Sequence, residues 1–184
     1  MLYNLLSLVV DTVAGLLAGV QLLRFWIQIV RVRPPAQVAQ FTFQLSDWIV
    51  KPLRRIVPGV GGFDWASLIG AYLIALVCSV FKVWLITDSF PPTLFLLALF
   101  NILQWVIYGW TALLILEVIF SWVNPHAPLA PFVQALNAPL LRPIRQLIPL
   151  LGGLDISPMV LFLLLQVASR VVTYLTIMAG LAFI

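Results

Sequence analysis

The sequence predicts an all-α membrane protein, with four transmembrane helices as two parallel-oriented helical hairpins, each carrying a cytoplasmic interfacial amphipathic helix. Three observations predict it. First, the 184-residue chain is 63% hydrophobic and 9% charged, with a mean hydropathy of +1.12. Soluble domains are about a quarter charged, because they must clothe an exterior in polar groups. Second, four apolar runs reach the ~20 residues that a helix needs to cross the hydrocarbon core. Third, one span–connection–span unit is used twice.

The first run extends from about Tyr3 to Val30, the second from about Trp65 to Ile86, the third from about Leu94 to Trp122 and the fourth from about Ser157 to Phe183. Backbone in lipid must satisfy its own hydrogen bonds, and no alternation typical of barrel strands is seen, so these runs read as helices. The first has no Lys or Arg ahead of it and carries Asp11, so it reads as a retained span rather than a cleaved signal peptide.

The connection from Thr87 to Thr93 is short and has no Lys or Arg. The connections Arg31 to Asp64 and Val123 to Ile156 are long and carry Arg31, Arg33, Lys51, Arg54, Arg55, Arg142 and Arg145. With four spans both long connections lie on one side, and the positive-inside rule makes that side cytoplasmic. Both termini and Asp88 are then expected outside.

Within the long connections, Phe41, Leu45, Trp48, Ile49, Leu53 and Ile56, and then Phe132, Leu136, Leu140, Ile144 and Leu147, recur at steps of three and four. That is amphipathic helix periodicity, and the prolines Pro52, Pro139 and Pro143 predict breaks or kinks. Lys51, Arg54, Arg55, Arg142 and Arg145 would then face anionic lipid headgroups or a protein partner. The expected partners are membrane lipids, other membrane proteins or a second copy of the chain, and no nucleic acid, since the basic residues are confined to these stretches.

Lys51 to Asp64 aligns without gaps on Arg142 to Asp155, a spacing of 91 residues that also pairs Pro34 with Pro125 and Phe41 with Phe132. The two copies are residues 1–92 and 93–184. An even number of spans separates equivalent points, so the copies share one orientation, and a pseudo-two-fold along the membrane normal is expected. Gly61 and Gly62, like Gly152 and Gly153, would supply the sharp return toward the membrane, with Asp64 and Asp155 capping the next helix.

Ser121-Trp122, Asn124-Pro125, Pro139 to Arg145, Ile148-Pro149 and Gly152 to Pro158 resemble the YGGT family of small integral membrane proteins. The first copy keeps Lys51 to Arg55, Pro58, Gly61-Gly62 and Asp64, but has Val30-Arg31 and Ala66-Ser67 where the second has Ser121-Trp122 and Ser157-Pro158. The resemblance implies a bacterial inner-membrane protein without established catalytic residues. Its relatives are associated with osmotic tolerance and ion homeostasis, with cell division and, in plastids, with nucleoid organisation and cytochrome assembly. That spread implies an organising or assembly role, with ion conduction or ion homeostasis as the alternative.

Enzymatic chemistry has little to work with. One cysteine, Cys78, and one histidine, His126, build neither a Cys/His metal site nor a haem attachment, and no phosphate-binding or nucleophile motif occurs. No metal, cofactor or catalytic residue is expected. Charges inside the spans are costly and usually paired. Arg24 and Glu117 lie at matched depth, which predicts an ion pair between spans one and three; Asp11 with Arg170 is the second predicted pair, and Lys82 is expected to snorkel. These residues read either as inter-helix locks or as an ion path. Gln21, Gln28, Asn101, Gln104 and Gln166 are expected to bridge helices, and Gly15 and Gly19 form a GxxxG that permits close approach.

Overall fold

The computed structural model describes residues 2–57, 59, 61–85, 91–148 and 155–181. They form six helices: α1 (Leu2–Val30), α2 (Ala36–Ile56), α3 (Trp65–Trp84), α4 (Leu94–Val123), α5 (Ala130–Leu147) and α6 (Ser157–Leu181). Four of them, α1, α3, α4 and α6, are long and apolar enough to cross a membrane. Gly152, Gly153 and Asp88 lie outside the described residues.

α1 lies against α3 and α4 against α6, with α3 packed on α4 in the middle. Small side chains allow this: Ala18, Ala71, Ala75 and Ala98 are buried together with Leu22 and Ile102. A second core joins Ile107 and Leu114 to Leu161, Leu165 and Val172. Gly15 meets the Trp105 ring, so close that an added Cβ would sit 3.2 Å from its Nε1; Gly19 has open space at that point. One half of the GxxxG therefore serves a contact within the chain.

The two copies are not related by a closed two-fold. Among the described residues α3 meets α4 but α6 does not meet α1, and α5 meets α1 but α2 does not meet α4. A two-fold would require both members of each pair. The short connection after α3 keeps α4 at its side, and no corresponding link draws α6 onto α1.

α2 and α5 are each unbroken by their prolines. Pro52, Pro139 and Pro143 all sit on exposed faces, so the carbonyls they free point outward rather than into the core. The two helices turn different sides inward. α5 buries Phe132, Val133 and Leu136 against Leu23, Trp26 and Leu113, whereas α2 buries Thr42, Ser46 and Val50 and leaves Phe41, Trp48 and Ile56 exposed. The apolar stripe of α2 is thus only partly covered: Leu45, Ile49 and Leu53 are half-buried, while Phe41, Trp48 and Ile56 stand clear of the protein. At the α2–α3 return, Gly61 and Gly62 take φ of +69° and +79°, a region costly for any residue with a Cβ.

Candidate functional site: the charged end of the bundle

The buried charges converge at the end of the bundle holding the α1 C-terminus and the α3 N-terminus. Arg24 is enclosed there, and its guanidinium donates to Asp64 Oδ2 through Nε at 3.1 Å and to Ser46 Oγ and Asp47 Oδ1 through Nη1 at 2.7 and 2.8 Å. Its Cζ lies 4.8 Å from the centre of the Phe43 ring. Arg54 donates to both oxygens of Asp64, at 3.3 and 2.6 Å, and Ser67 donates to Asp64 Oδ2 at 2.7 Å. Lys51 reaches Asp47 at 3.0 Å. α1, α2 and the turn before α3 are thereby tied at a single node.

The second copy repeats part of this node. Arg145, aligned with Arg54, donates from Nε to Asp155 Oδ2 at 2.8 Å, and its Nη2 lies 3.4 Å from Glu117 Oε1. Asn137 Nδ2 donates to Glu117 Oε2 at 2.8 Å and to the Leu113 carbonyl at 2.9 Å. The buried span residue has the opposite sign, an arginine in one copy and a glutamate in the other. Neither occupies a matched repeat position, since Arg24 aligns with Ile115 and Glu117 with Trp26.

The predicted pairs are therefore replaced. Arg24 does not pair with Glu117; Arg24 is taken by Ser46 and Asp47 of α2 and by Asp64, and Glu117 by Asn137 and Arg145 of α5. Asp11 does not pair with Arg170: Lys82 Nζ and Cys78 Sγ donate to Asp11 Oδ1 at 2.9 and 3.3 Å, while Arg170 is exposed. Lys82 thus has a carboxylate rather than only the interface to reach. Asp64 is an ion-pair hub without a cap to a backbone N–H, whereas Asp155 Oδ1 accepts the Ser157 N–H at 2.9 Å as expected of a cap. Asn101 donates to Ser79 at 2.9 Å and Gln104 to Ser169 at 2.6 Å, bridging helices. Gln21 is buried with both amide atoms unpaired among the described residues, Gln166 is exposed, and Gln28 lines a cavity. Arg55 and Arg142 are exposed.

These contacts set the carboxylates outside the spans. The Arg24 hydrogen bond is the main influence holding Asp47 below the ordinary aspartate range, with burial opposing it. Burial is the largest influence on Asp64 and Asp155 and works against their charge. Arg54, Ser67 and Arg24 together outweigh it at Asp64, as Ser157 and Arg145 do at Asp155, and both end below the ordinary range.

A cavity of about 640 Å³ opens beside the first node, lined by Arg24, Arg31, Arg54 and Asp64 with Ile27, Val32 and Phe43 among its apolar members. Arg31 closes α1 in a left-handed conformation, φ +56°. Its N–H bonds the Gln28 carbonyl at 3.2 Å and the Val32 N–H bonds the Ile27 carbonyl at 3.3 Å, a Schellman turn that normally takes glycine at this position. The end of α1 at Val30 agrees with the hydropathy of the first run, but the left-handed turn at Arg31 has no sequence signal, because the glycine that usually marks it is absent. The Arg31 side chain has no ion partner among the described residues. In the second copy Ile115 and Trp122 replace Arg24 and Arg31, so these two cations of the pocket have no counterpart there.

The doubled span–helix–span plan is matched by a family model. The CCB3/YggT model covers residues 3–85 and 96–176. The chain belongs to the CCB3/YggT family. It is 35% identical to the uncharacterised protein YggT of Escherichia coli (strain K12), over 90% of this chain and 88% of that one. Identity to an uncharacterised protein of Pseudomonas aeruginosa is 36%, over 89% of this chain and 86% of the relative. A relative from Haemophilus influenzae is 30% identical over 86% of each chain. No solved structure matches this YggT-family chain. Among its described residues no group of three or more His, Cys, Asp or Glu stands together as a metal site. Cys78 is buried in α3 and His126 is exposed after α4.

Proposed function

We propose that the protein is a non-enzymatic scaffold or organising factor of the bacterial inner membrane, acting through its helix bundle and its charged end. In this reading the charged end faces the cytoplasm, and α2 and α5 lie along the anionic inner leaflet. The observation that carries it is the repeated ion pair, Arg54 with Asp64 and Arg145 with Asp155, which ties each surface helix to the return into the next span. Charges spent on holding two surface helices in place favour a platform over a reaction centre. The exposed stripe of Phe41, Trp48 and Ile56 on α2 would sink into the interface while Arg55 and Arg142 meet headgroups. The cavity beside Arg24 and Arg31 suits an amphiphile with an anionic head, and a lipid phosphate is the ligand we assign to it.

Copurification from native membranes in mild detergent tests the reading, comparing the wild type with Arg55→Gln/Arg142→Gln. The expected result is a reproducible set of membrane-protein partners that the double substitution depletes. Repeated purifications without a common partner would count against it. A second reading, ion conduction or ion homeostasis, draws support from Asp11, Glu117 and Arg170 within apolar helices. Cation flux across liposomes holding the purified protein decides that question.

A further inference from the structure

Gln166 and Arg170 stand one turn apart on α6, and both are exposed. Arg170 lies thirteen residues from Ser157 and eleven from Leu181, on the order of 16–20 Å from either helix end at 1.5 Å per residue. Snorkelling does not carry a guanidinium that far. Neither side chain has a hydrogen bond or ion partner among the described residues, and hydrocarbon supplies none. A polar pair of this kind on the outside of an apolar helix marks a face that takes another helix.

The repeat points to the same face. Arg170 aligns with Ser79, which α4 covers and which accepts a hydrogen bond from Asn101 at 2.9 Å. Met159, Leu163 and Val167 align with Leu68, Tyr72 and Leu76, which pack on the core shared with α4. On α6 the aligned three are 68%, 62% and 61% exposed. The side of α3 that receives a helix is thus bare on α6.

Charge and depth select the occupant. Asp47, Asp64, Asp155 and Glu117 are all engaged at the charged end. The remaining described carboxylate is Asp11. Its side chain is 43% exposed, and both of its donors among the described residues use Oδ1 rather than Oδ2. Ser169 is bonded to Gln104, and the next residue, Trp105, lies against Gly15. Arg170 and Asp11 are therefore within roughly 3–5 Å of one level along the bundle. Since α6 does not meet α1 in one chain, the two can meet only between chains.

We infer that the protein self-associates head to tail: the bare face of α6 docks on α1 of a second copy, and Arg170 pairs with Asp11 of that copy. Such a contact uses different surfaces on its two sides, so it closes a ring or extends a row. The inference deepens the scaffold reading, but needs neither a foreign partner nor anionic lipid.

The test uses purified full-length protein carrying Cys78→Ser, in zwitterionic vesicles. One tagged chain carries Leu8→Cys and a differently tagged chain Tyr174→Cys; these exposed positions lie one turn from Asp11 and Arg170. Co-reconstituted and oxidised, the two should form a mixed disulfide dimer, with little product from either alone. Adding Arg170→Leu should lower the mixed dimer at least fivefold at equal protein-to-lipid ratio, and Arg170→Lys should retain most of it. Absence of mixed product with Arg170 intact would overturn the inference. So would Tyr174→Cys self-dimers as abundant as the mixed species, or indifference to Arg170→Leu in a protein that keeps its helical circular dichroism. A failed partner search with intact mixed dimers would instead count only against the wider scaffold reading.

Discussion

Ser46 and Asn137 occupy the same repeat position on α2 and α5, and each turns a polar atom to the buried charge of its own span. Ser46 Oγ receives Arg24 at 2.7 Å, and Asn137 Nδ2 gives to Glu117 at 2.8 Å. One position has been adjusted to two charges of opposite sign, an acceptor for the guanidinium and a donor for the carboxylate. It follows that α1 with α2, and α4 with α5, each form one electrostatic unit, of unequal strength.

The inequality can be measured. Asp64 has 3% of its side chain exposed and answers two arginines, whereas Asp155 is 32% exposed and answers one. Asp64→Asn removes a buried carboxylate shared by Arg24 and Arg54, leaves Arg24 with Asp47 as its one remaining charge partner, and should cost about 3 kcal/mol. Asp155→Asn should cost about 1 kcal/mol or less, since its pair is screened by solvent. Thermal unfolding of the two variants in one detergent checks the ordering.

Acid should loosen the same nodes. Asp47, Asp64 and Asp155 have carboxyls held below their ordinary range in the fold, so protonation favours the unfolded chain. Their contribution is complete above the unfolded aspartate value, about 3.9, and is lost as pH falls through the folded values below it. Melting temperature should be level from neutral pH to about 5 and drop below about 4. Asp64→Asn should flatten part of that drop.

Gly70 is held against Gln21, so that a Cβ there would collide with Gln21 Oε1 and press on Ile49. Gly70→Ala should lower stability by about 1–3 kcal/mol through overpacking between α1, α2 and α3. Gln21→Ala in the same chain should restore most of the loss, because it removes the obstructing amide. Unfolding of the two single variants and the double variant gives the coupling directly.

Arg31 stores backbone strain at the lip of the cationic cavity. Arg31→Gly should stabilise the chain by about 1 kcal/mol, as glycine carries no left-handed penalty. The same substitution should weaken retention of anionic phospholipid during purification, measured by mass spectrometry of bound lipid. A gain in stability with undiminished lipid would remove the cavity from the lipid reading.

Glu117 separates a lock from a passage. Glu117→Gln loses the Arg145 ion pair and should lower unfolding temperature while cation flux in liposomes stays at the empty-vesicle level. A well-folded variant that abolishes a flux seen in the wild type would favour the conducting reading.

Much of the architecture was legible before any coordinates. The four long apolar helices, the proline-containing helices between them and the glycine return at Gly61-Gly62 are written in local hydropathy, in 3.6-residue periodicity and in backbone stereochemistry. Asn101, Gln104 and the Asp155 cap met their expectation, but the same residue types at Gln21, Gln166 and Asp64 did not, because residue type leaves open which neighbour a side chain faces.

The meetings of the charges were not legible. Depth along a helix can be counted from a sequence at a fixed rise per residue, which is why Arg24 and Glu117 looked like partners. Which way each helix is turned about its own axis depends on every neighbour packed on it, and each residue of register rotates a side chain by about 100°. Only the tertiary structure set Arg24 toward Ser46, Asp47 and Asp64, set Glu117 toward Asn137 and Arg145, and left Arg170 facing outward. The sequence by itself determined the spans, the repeat and the gathering of basic residues in two connections. Helix rotation, a cooperative outcome of packing, decided which charges touch.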